Sequence, residues 1–252
     1  MQMTAPAITL LTDFGTADGY VAELKGVLVS RAPRVPLVDL SHEVPPQDVA
    51  AARLAVARYW RRFPPGTVHV VVVDPGVGTG RAAIAVESDG RFLVGPDNGV
   101  LSPALFTLDA RVIALPVDAH ASPTFHGRDV FAPVAAELAI GAAIESLGDL
   151  FTGALRLRTP QPQRQPDGSL QGEVLTIDRF GNAITNLAVR DGGTIEVAGH
   201  RAPLVRTYGD ADAGALVALT GSNGFVEVAI REGNAAATLG LTRGARVVLR
   251  AR

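Results

Sequence analysis

The run from Val70 to Arg81 limits the possible folds of this chain more than any other stretch. Four consecutive valines lead directly into Asp74, a Pro-Gly turn, two more glycines and Arg81. A strand that is apolar on both faces is most easily buried in the middle of a sheet, and open α/β sheets bind ligands at the carboxyl ends of such strands. The glycines let a ligand approach the backbone, and the turn can bring Arg81 back towards Asp74. The run therefore predicts a central strand with a site of chemistry at its end.

Short apolar strands alternate with helices up to about Phe151. Buried strands are predicted at residues 8–12, 35–40 and 68–73. Helices are predicted from Tyr20, at residues 49–60 behind an N-cap at Asp48, and near residues 130–142. This alternation favours a mostly parallel sheet with right-handed crossovers.

The pattern changes after a polar, proline-rich stretch at residues 159–168. Beyond it, Gly, Asn and Asp turns separate short strands, and no helix of ten residues is predicted. The predicted strands cover residues 172–177, 215–220, 225–230 and 246–249. We therefore predict the α/β fold class, with a mostly parallel central sheet in an N-terminal α/β domain and a smaller C-terminal all-β domain. The predicted limits are 1–155 for the first domain, 156–171 for a linker and 172–252 for the second.

Composition excludes several classes of function. The net charge is −2 with no basic run, so a nucleic-acid partner is not expected. There is no cysteine, and the five histidines form no helical ligand pair, so neither a disulfide nor a metal site is predicted. No apolar run approaches the roughly 20 residues that span a bilayer, and the first residues lack a basic signal region. We expect a cytoplasmic protein without a membrane partner.

Acidic residues follow the first predicted strand as well as the third. Asp13 and Asp18 should lie at the same sheet edge as Asp74, where carboxylates often accept hydrogen bonds from ribose hydroxyls. Asp18 could instead cap the following helix, or do both. Asp74 and Arg81 could form a purely structural ion pair. A phosphate loop is disfavoured, because the run lacks the Gly-Lys-Ser/Thr ending and its acid would repel phosphate.

Two histidines and the turns of the second half are further candidates. His126, between Phe125 and Gly127, is either a catalytic residue or an exposed loop residue, and His42 either binds a ligand or metal or stabilises a turn. In the second half of the chain, three turns are rich in amide and hydroxyl groups. These groups could form hydrogen bonds with the edge of a nucleobase, or the segments could be ordinary hairpin turns. These turns cover residues 178–186, 221–224 and 233–236.

Taken together, six segments resemble the S-adenosylmethionine (SAM) hydroxide adenosyltransferase family, the SAM hydrolases related to fluorinating and chlorinating enzymes. They are, in order, TDFGTADGYVAELKG, DLSHEVPPQDV, VVVDPGVGTGR, VGPDNGVLSP, TFHGRDVFAPVAAELAIG and IDRFGNAITNL. The resemblance implies hydrolysis of SAM to adenosine and L-methionine without a metal or cofactor. It also implies a barrel-like second domain and a homotrimer, with each active site between one subunit's N-terminal domain and a neighbour's C-terminal domain.

The resemblance also implies roles for particular residues. The catalytic set falls on Asp74, Arg81 and His126. The substrate-binding residues fall on Asp13, Asp18, Phe125, Asp178, Phe180, Asn182, Ser222, Asn234 and Ala235. Of these, Asp18 would hold the ribose and Phe125 would pack on the nucleoside, while Asp178, Phe180 and Asn182 would face the methionine and adenine parts.

Three other functions stay open. The halogenating relatives carry Tyr at the Asp74 position, and hold halide near a Thr and a Ser where this chain has Val77 and Gly127. A SAM-dependent halogenase is therefore disfavoured. The others are a non-catalytic SAM or adenosine sensor, and a metal-dependent hydrolase using Asp13, Asp18 and Asp74.

Overall fold

The computed structural model describes residues 7–189 and 192–250. The chain forms two compact units that divide between Arg158 and Thr159, and each is described by itself below. In the described part, no helix is both long enough and apolar enough to cross a membrane. The predicted domain limits stay a prediction.

The first unit is built on one mixed sheet. Its strands are β1 (Ile8–Thr12), β2 (Leu37–Ser41), β3 (Val68–Val72), β4 (Ala83–Ser88), β5 (Arg91–Pro96), β6 (Arg111–Leu115) and β7 (Asp149–Leu150). Its α-helices are α1 (Tyr20–Arg31), α2 (Val49–Tyr59) and α3 (Ala132–Ala139). The strand order is β2-β1-β3-β5-β4-β6-β7, and β2, β1, β3 and β5 run parallel. The predicted mostly parallel sheet is confirmed.

Burial on both faces explains the valine run of β3. Val70 and Val72 pack into the core that α1 and α3 cover, whereas Val71 and Val73 pack into the core on the side of α2. Because side chains alternate between the faces of a strand, a strand covered by helices on both sides is apolar at every position. The carboxyl ends of β1 and β3 lie side by side, with Thr12 paired to Val72.

The predicted helix caps and helix boundaries are confirmed only in part. The predicted cap at Asp48 is confirmed, since its side chain accepts a hydrogen bond from the Ala51 amide at 2.9 Å. The alternative role of Asp18 as a cap is wrong: Gly19 occupies the N-cap position of α1 with φ of 80°, and no side chain caps the helix. The third helix begins earlier than predicted, as a π-helix over Gly127–Phe131, and α3 ends at Ala139.

The described part of the second unit is an antiparallel sheet with a short α-helix and a single 3-10 turn, so the predicted all-β character is confirmed. Its strands are β8 (Gln163–Arg164), β9 (Leu170–Ile177), β10 (Ala183–Thr185), β11 (Thr194–Val197), β12 (His200–Pro203), β13 (Leu216–Thr220), β14 (Val226–Ile230) and β15 (Arg246–Arg250), and its helix is α4 (Ala235–Leu239). The order is β12-β11-β15-β9-β10-β14-β13, with β8 on β9. A bridge between Leu204 and Ala218 links the two ends, which nearly closes the sheet into a barrel. Residues 163–164, inside the predicted linker, are strand β8 because they pair with β9.

Candidate active site

A cleft of about 240 Å³ opens at the carboxyl ends of β1 and β3 in the first unit. Its walls come from the loops after these two strands, from Gln47 and from residues 124–127. A more open groove of about 700 Å³ lies along α1 and α3. There, Arg128 already forms ion pairs with Glu23 and Asp129. The smaller cleft is the candidate site because it holds the sequence-predicted catalytic residues Asp74 and His126.

Asp74, Arg81 and His126 form one hydrogen-bonded cluster. The Arg81 guanidinium donates to both Asp74 carboxylate oxygens: Nε to Oδ1 at 3.0 Å, and Nη2 to Oδ2 in a short contact. Nη2 also lies 3.0 Å from Nδ1 of His126. The side chains of Asp74 and Arg81 are only 6% and 9% exposed. Planar, bidentate pairing of this kind fixes the plane of the carboxylate as well as its position.

The cluster determines which nitrogen of His126 carries the proton. Burial, together with the Arg81 cation, lowers the pKa of His126, although Asp74 and Asp129 oppose that shift. The ring is therefore neutral at pH 7. Because a guanidinium can only donate, Nδ1 must accept from Arg81, which leaves the proton on Nε2. His126 thus presents a donor, not a base, on its far side.

A close approach between two loops holds His126 beside Asp74. Gly78 has φ of 75°, and a Cβ atom at this position would lie 2.4 Å from the Pro123 carbonyl oxygen. Only glycine therefore allows the loop after β3 to pack against the segment that carries Phe125 and His126. The π-helix that begins at Gly127 places His126 at its N-terminal end, and such helices occur often at functional sites.

An aromatic cluster borders the cleft on the side of β1. Phe14, Tyr20 and Phe125 pack edge to face with ring centroids 5.5–6.0 Å apart. The Arg128 guanidinium lies 5.2 Å above the Phe125 ring. This apolar wall is suited to the flat face of a nucleoside.

The two acids after β1 differ in placement. Asp13 lines the cleft, and its Oδ2 accepts a hydrogen bond from the Gln47 amide at 2.7 Å. Gln47 itself was not among the predicted site residues, and its backbone has φ of 63°. Asp18 lies in the same loop, where it is exposed and outside the cleft wall.

His42 is buried beneath the loop and does not line the cleft. Its Nδ1 lies 2.8 Å from Thr12 Oγ1, and its Nε2 lies 3.1 Å from Asp39 Oδ1. Of the two predicted roles, the structure therefore favours stabilisation of a turn over direct binding of a ligand.

The candidates of the second unit cluster around the turn after β9. Asp178 accepts hydrogen bonds from the amides of Phe180 and Asn182, both at 2.9 Å, and from the Asn182 side chain at 3.1 Å. Phe180 is 75% exposed. The Ala236 amide donates to the Gly181 carbonyl at 2.9 Å, so Asn234 and Ala235 lie next to this turn.

Sequence reasoning missed Tyr208 and Glu227 in this cluster. The Asn182 amide nitrogen lies 3.3 Å from the Tyr208 hydroxyl, which also makes a short hydrogen bond to Glu227. Burial and the Glu227 carboxylate raise the pKa of Tyr208, so the hydroxyl keeps its proton. Glu227 also approaches Gly221, the neighbour of Ser222. No local sequence signal marks these residues, because their partners are far apart along the chain.

Among residues 7–189 and 192–250, no three His, Asp or Glu side chains are placed to hold a metal ion. The absence of a cofactor stays a prediction.

Comparison with known proteins gives the same family across both units. Family descriptions of the SAM hydroxide adenosyltransferase N-terminal and C-terminal domains match residues 8–148 and 172–248. A Thermus thermophilus protein named (R)-S-adenosyl-L-methionine hydrolase is 44% identical, over 96% of this chain and 98% of that protein. A fluorinase from Actinopolyspora mzabensis is 30% identical, over 72% of this chain and 71% of that protein.

A solved structure agrees with this result. The crystal structure of an uncharacterized conserved protein from Thermotoga maritima has a TM-score of 0.88 and 34% identity, and the match covers 97% of this chain and 100% of that one. With both domain descriptions matched in order and a full-length relative at 44% identity, the chain belongs to the SAM hydroxide adenosyltransferase family.

Proposed function

We propose that this protein hydrolyses S-adenosyl-L-methionine to adenosine and L-methionine by attack of water at the ribose 5′-carbon. The observation that carries the proposal is the buried Asp74–Arg81–His126 cluster beside an aromatic-walled cleft. The relative named hydrolase is also more similar to this chain, at 44% identity, than the fluorinase at 30%.

The chemistry needs little from the protein beyond an oriented water molecule. A bond forms between the water oxygen and the 5′-carbon while the bond from that carbon to the sulfonium sulfur breaks. The leaving group is the neutral thioether of methionine, so no general acid is required. What remains is to place the water in line with the breaking bond and to accept its proton.

Asp74 is suited to accept that proton. Each of its oxygens accepts one hydrogen bond from Arg81. A carboxylate has about four acceptor positions, so lone pairs stay free for the water. Arg81 would hold the carboxylate in one orientation, which favours a single direction for the attacking water.

His126 would orient the water and not relay its proton. Its Nδ1 accepts from Arg81, so Nε2–H is the group left to donate to the water oxygen. The water would then donate to Asp74 and accept from His126, which points a lone pair of its oxygen at the substrate.

The remaining site residues are proposed to bind the substrate. In the first unit, Asp13 and Asp18 would meet the ribose hydroxyls and Phe125 would pack on the nucleoside. The pocket would be completed in the second unit by Asp178, Phe180, Asn182, Ser222, Asn234 and Ala235. The exposed Phe180 and the polar turn beside it support a role at a surface that meets a ligand.

Incubation of the purified protein with SAM, followed by chromatography, tests the function. Adenosine and methionine should appear in equal amounts. Asp74→Ala should abolish turnover while SAM still binds in calorimetry. Intact SAM with normal binding to the wild-type protein would instead identify a sensor, and a 5′-halo-adenosine formed with chloride or fluoride would identify a halogenase.

We also propose a homotrimer in which the second unit of one chain completes the cleft of a neighbour. Co-expression of Asp74→Ala with Asn182→Ala tests this arrangement. If the two halves come from different chains, random mixing pairs an intact first unit with an intact second unit in about a quarter of the sites, and about that fraction of activity should return. A site within one chain would give no recovery, and sedimentation should separately give three chains per particle.

A further inference from the structure

A chain of polar contacts lies beside the cleft and is not used by the proposed chemistry; its inner members, Thr12 and His42, are buried, whereas Lys25 and Asp39 are 34% and 44% exposed. It joins Lys25, Asp39, His42 and Thr12. The Lys25 ammonium donates to Asp39 Oδ2 at 2.5 Å, and Asp39 Oδ1 lies 3.1 Å from His42 Nε2. His42 Nδ1 lies 2.8 Å from Thr12 Oγ1. Thr12 is fully buried and His42 is 6% exposed, so both are largely shielded from solvent.

Lys25 and His42 both face the Asp39 carboxylate. Burial raises the pKa of Asp39, but Lys25 and His42 lower it, and the net direction is downward, so the carboxylate is ionised. His42 Nε2 faces this carboxylate at 3.1 Å, and Nδ1 shares a hydrogen bond with the Thr12 hydroxyl. The Thr12 oxygen in turn accepts from the Phe14 amide at 3.3 Å. A continuous line of side-chain contacts therefore reaches the backbone of the cleft wall.

The backbone strengthens the same connection. The Gly15 amide donates to the His42 carbonyl at 2.8 Å. The pairing of β1 with β2 shifts by one residue, from Leu10 opposite Asp39 to Leu11 opposite Ser41. An extra residue of this kind re-aims the end of a strand, which here turns His42 towards the loop after β1.

We propose that Thr12 and His42 are positioning residues that set the loop of Asp13 and Phe14 for nucleoside binding. They contact neither the cleft nor the Asp74 cluster, and act through the Phe14 and Gly15 amides. The proposal rests on the proposed function. Because the loop binds substrate and does not hold the attacking water, the loss of either residue should raise KM and leave kcat nearly unchanged.

A matched pair on the same strand supplies the control. Thr9 Oγ1 lies 2.7 Å from His69 Nδ1, and both residues are fully buried, but the pair lies near the opposite end of β1 from the cleft. Thr12→Val and Thr9→Val thus remove the same hydroxyl from the same strand. We expect KM for SAM to rise about tenfold in Thr12→Val with kcat within about threefold, since small displacements of binding groups cost this much. In Thr9→Val, KM should stay within about twofold at a similar loss of Tm.

Conservative variants separate positioning from simple stability. Thr12→Ser keeps the hydroxyl and should restore KM. His42→Asn places an amide oxygen near the position of Nδ1 and should retain more of the wild-type KM than His42→Gln, whose amide falls near Nε2. Equal KM shifts in Thr12→Val and Thr9→Val would overturn the proposal, as would a loss confined to kcat.

Amide hydrogen exchange tests the chain without substrate. Exchange at Phe14 and Gly15 should be faster in Thr12→Val than in Thr9→Val, and equal rates would overturn the proposal. Absence of SAM turnover in the wild-type protein would defeat the proposed function alone, because the exchange comparison does not depend on it.

Discussion

Replacement of Arg81 by lysine separates a catalytic cluster from a purely structural ion pair. Lysine keeps the positive charge but has one nitrogen in place of the planar fork. The guanidinium makes two bonds to Asp74, one to His126 and a long one of 3.4 Å to the Ala82 carbonyl, and it also lies 5.4 Å above the Phe131 ring. A lysine ammonium can retain one bond to Asp74, so one carboxylate oxygen and His126 Nδ1 lose their donor.

The structure sets the size of the expected effects. Hydrogen bonds to charged groups contribute about 1.5–3 kcal/mol each, so the loss of the second Asp74 bond and of the weaker His126 bond should destabilise the protein by about 3 kcal/mol. For a unit of this size, that corresponds to a decrease in Tm of about 6–12 °C. A carboxylate free to rotate no longer fixes the water, and kcat should fall by about 100-fold.

Thermal unfolding and steady-state adenosine formation measure the two effects separately. Arg61→Lys is the control, because the Arg61–Asp89 pair is exposed, at 57% and 38%. Pairs of this kind contribute about 1 kcal/mol or less, so neither Tm nor kcat should change much. If Arg81→Lys lowers Tm as expected while kcat stays within about twofold of wild type, the pair is structural and the proposed role of the cluster is wrong.

Three further outcomes follow from individual contacts. Gly78→Ala should lower kcat/KM by about tenfold or more, because its Cβ would lie 2.4 Å from the Pro123 oxygen. Gly80→Ala, whose Cβ would have no atom within 4 Å, should leave kcat/KM nearly unchanged. Equal effects of the two substitutions would contradict this account. Burial lowers the pKa of His69 from 6.5 to about 4 and outweighs the opposing effect of its hydrogen bond to the Trp60 carbonyl. Between pH 6.5 and pH 4, the unfolded chain therefore binds a proton at His69 that the folded chain does not bind. Stability should fall by about 3 kcal/mol as the pH falls from 6.5 to 4, and urea titrations of His69→Gln, which does not titrate, should lack this part of the slope. Turnover should survive dialysis against a chelator, and loss of activity that returns with added metal would support a metal-dependent hydrolase instead.

The layout of the sheet could be predicted because its signals are local. The valine run predicts a strand covered on both faces, which β3 is. The position of Asp48 before a helical pattern likewise predicts the cap of α2. The positions of Asp13 and Asp74 at one edge then follow from the parallel pairing of β1 with β3.

Other features depended on contacts that a local pattern does not contain. Asp18 fits a cap by position, yet Gly19 takes that place in a left-handed conformation. The π-helix after His126 and the hydrogen bond between Tyr208 and Glu227 join groups whose geometry is set by tertiary packing. His42 could be singled out from its sequence, but its partner Thr12 lies 30 residues away on another strand.

Hydrolysis in water enriched in oxygen-18 tests the central claim most directly. Attack of water at the 5′-carbon predicts adenosine that carries one heavy oxygen at its 5′-hydroxyl, together with unlabelled methionine, and Asp74→Ala should form neither product. Adenosine without the label, or heavy oxygen in methionine, would contradict the attack of a water oriented by Asp74, Arg81 and His126.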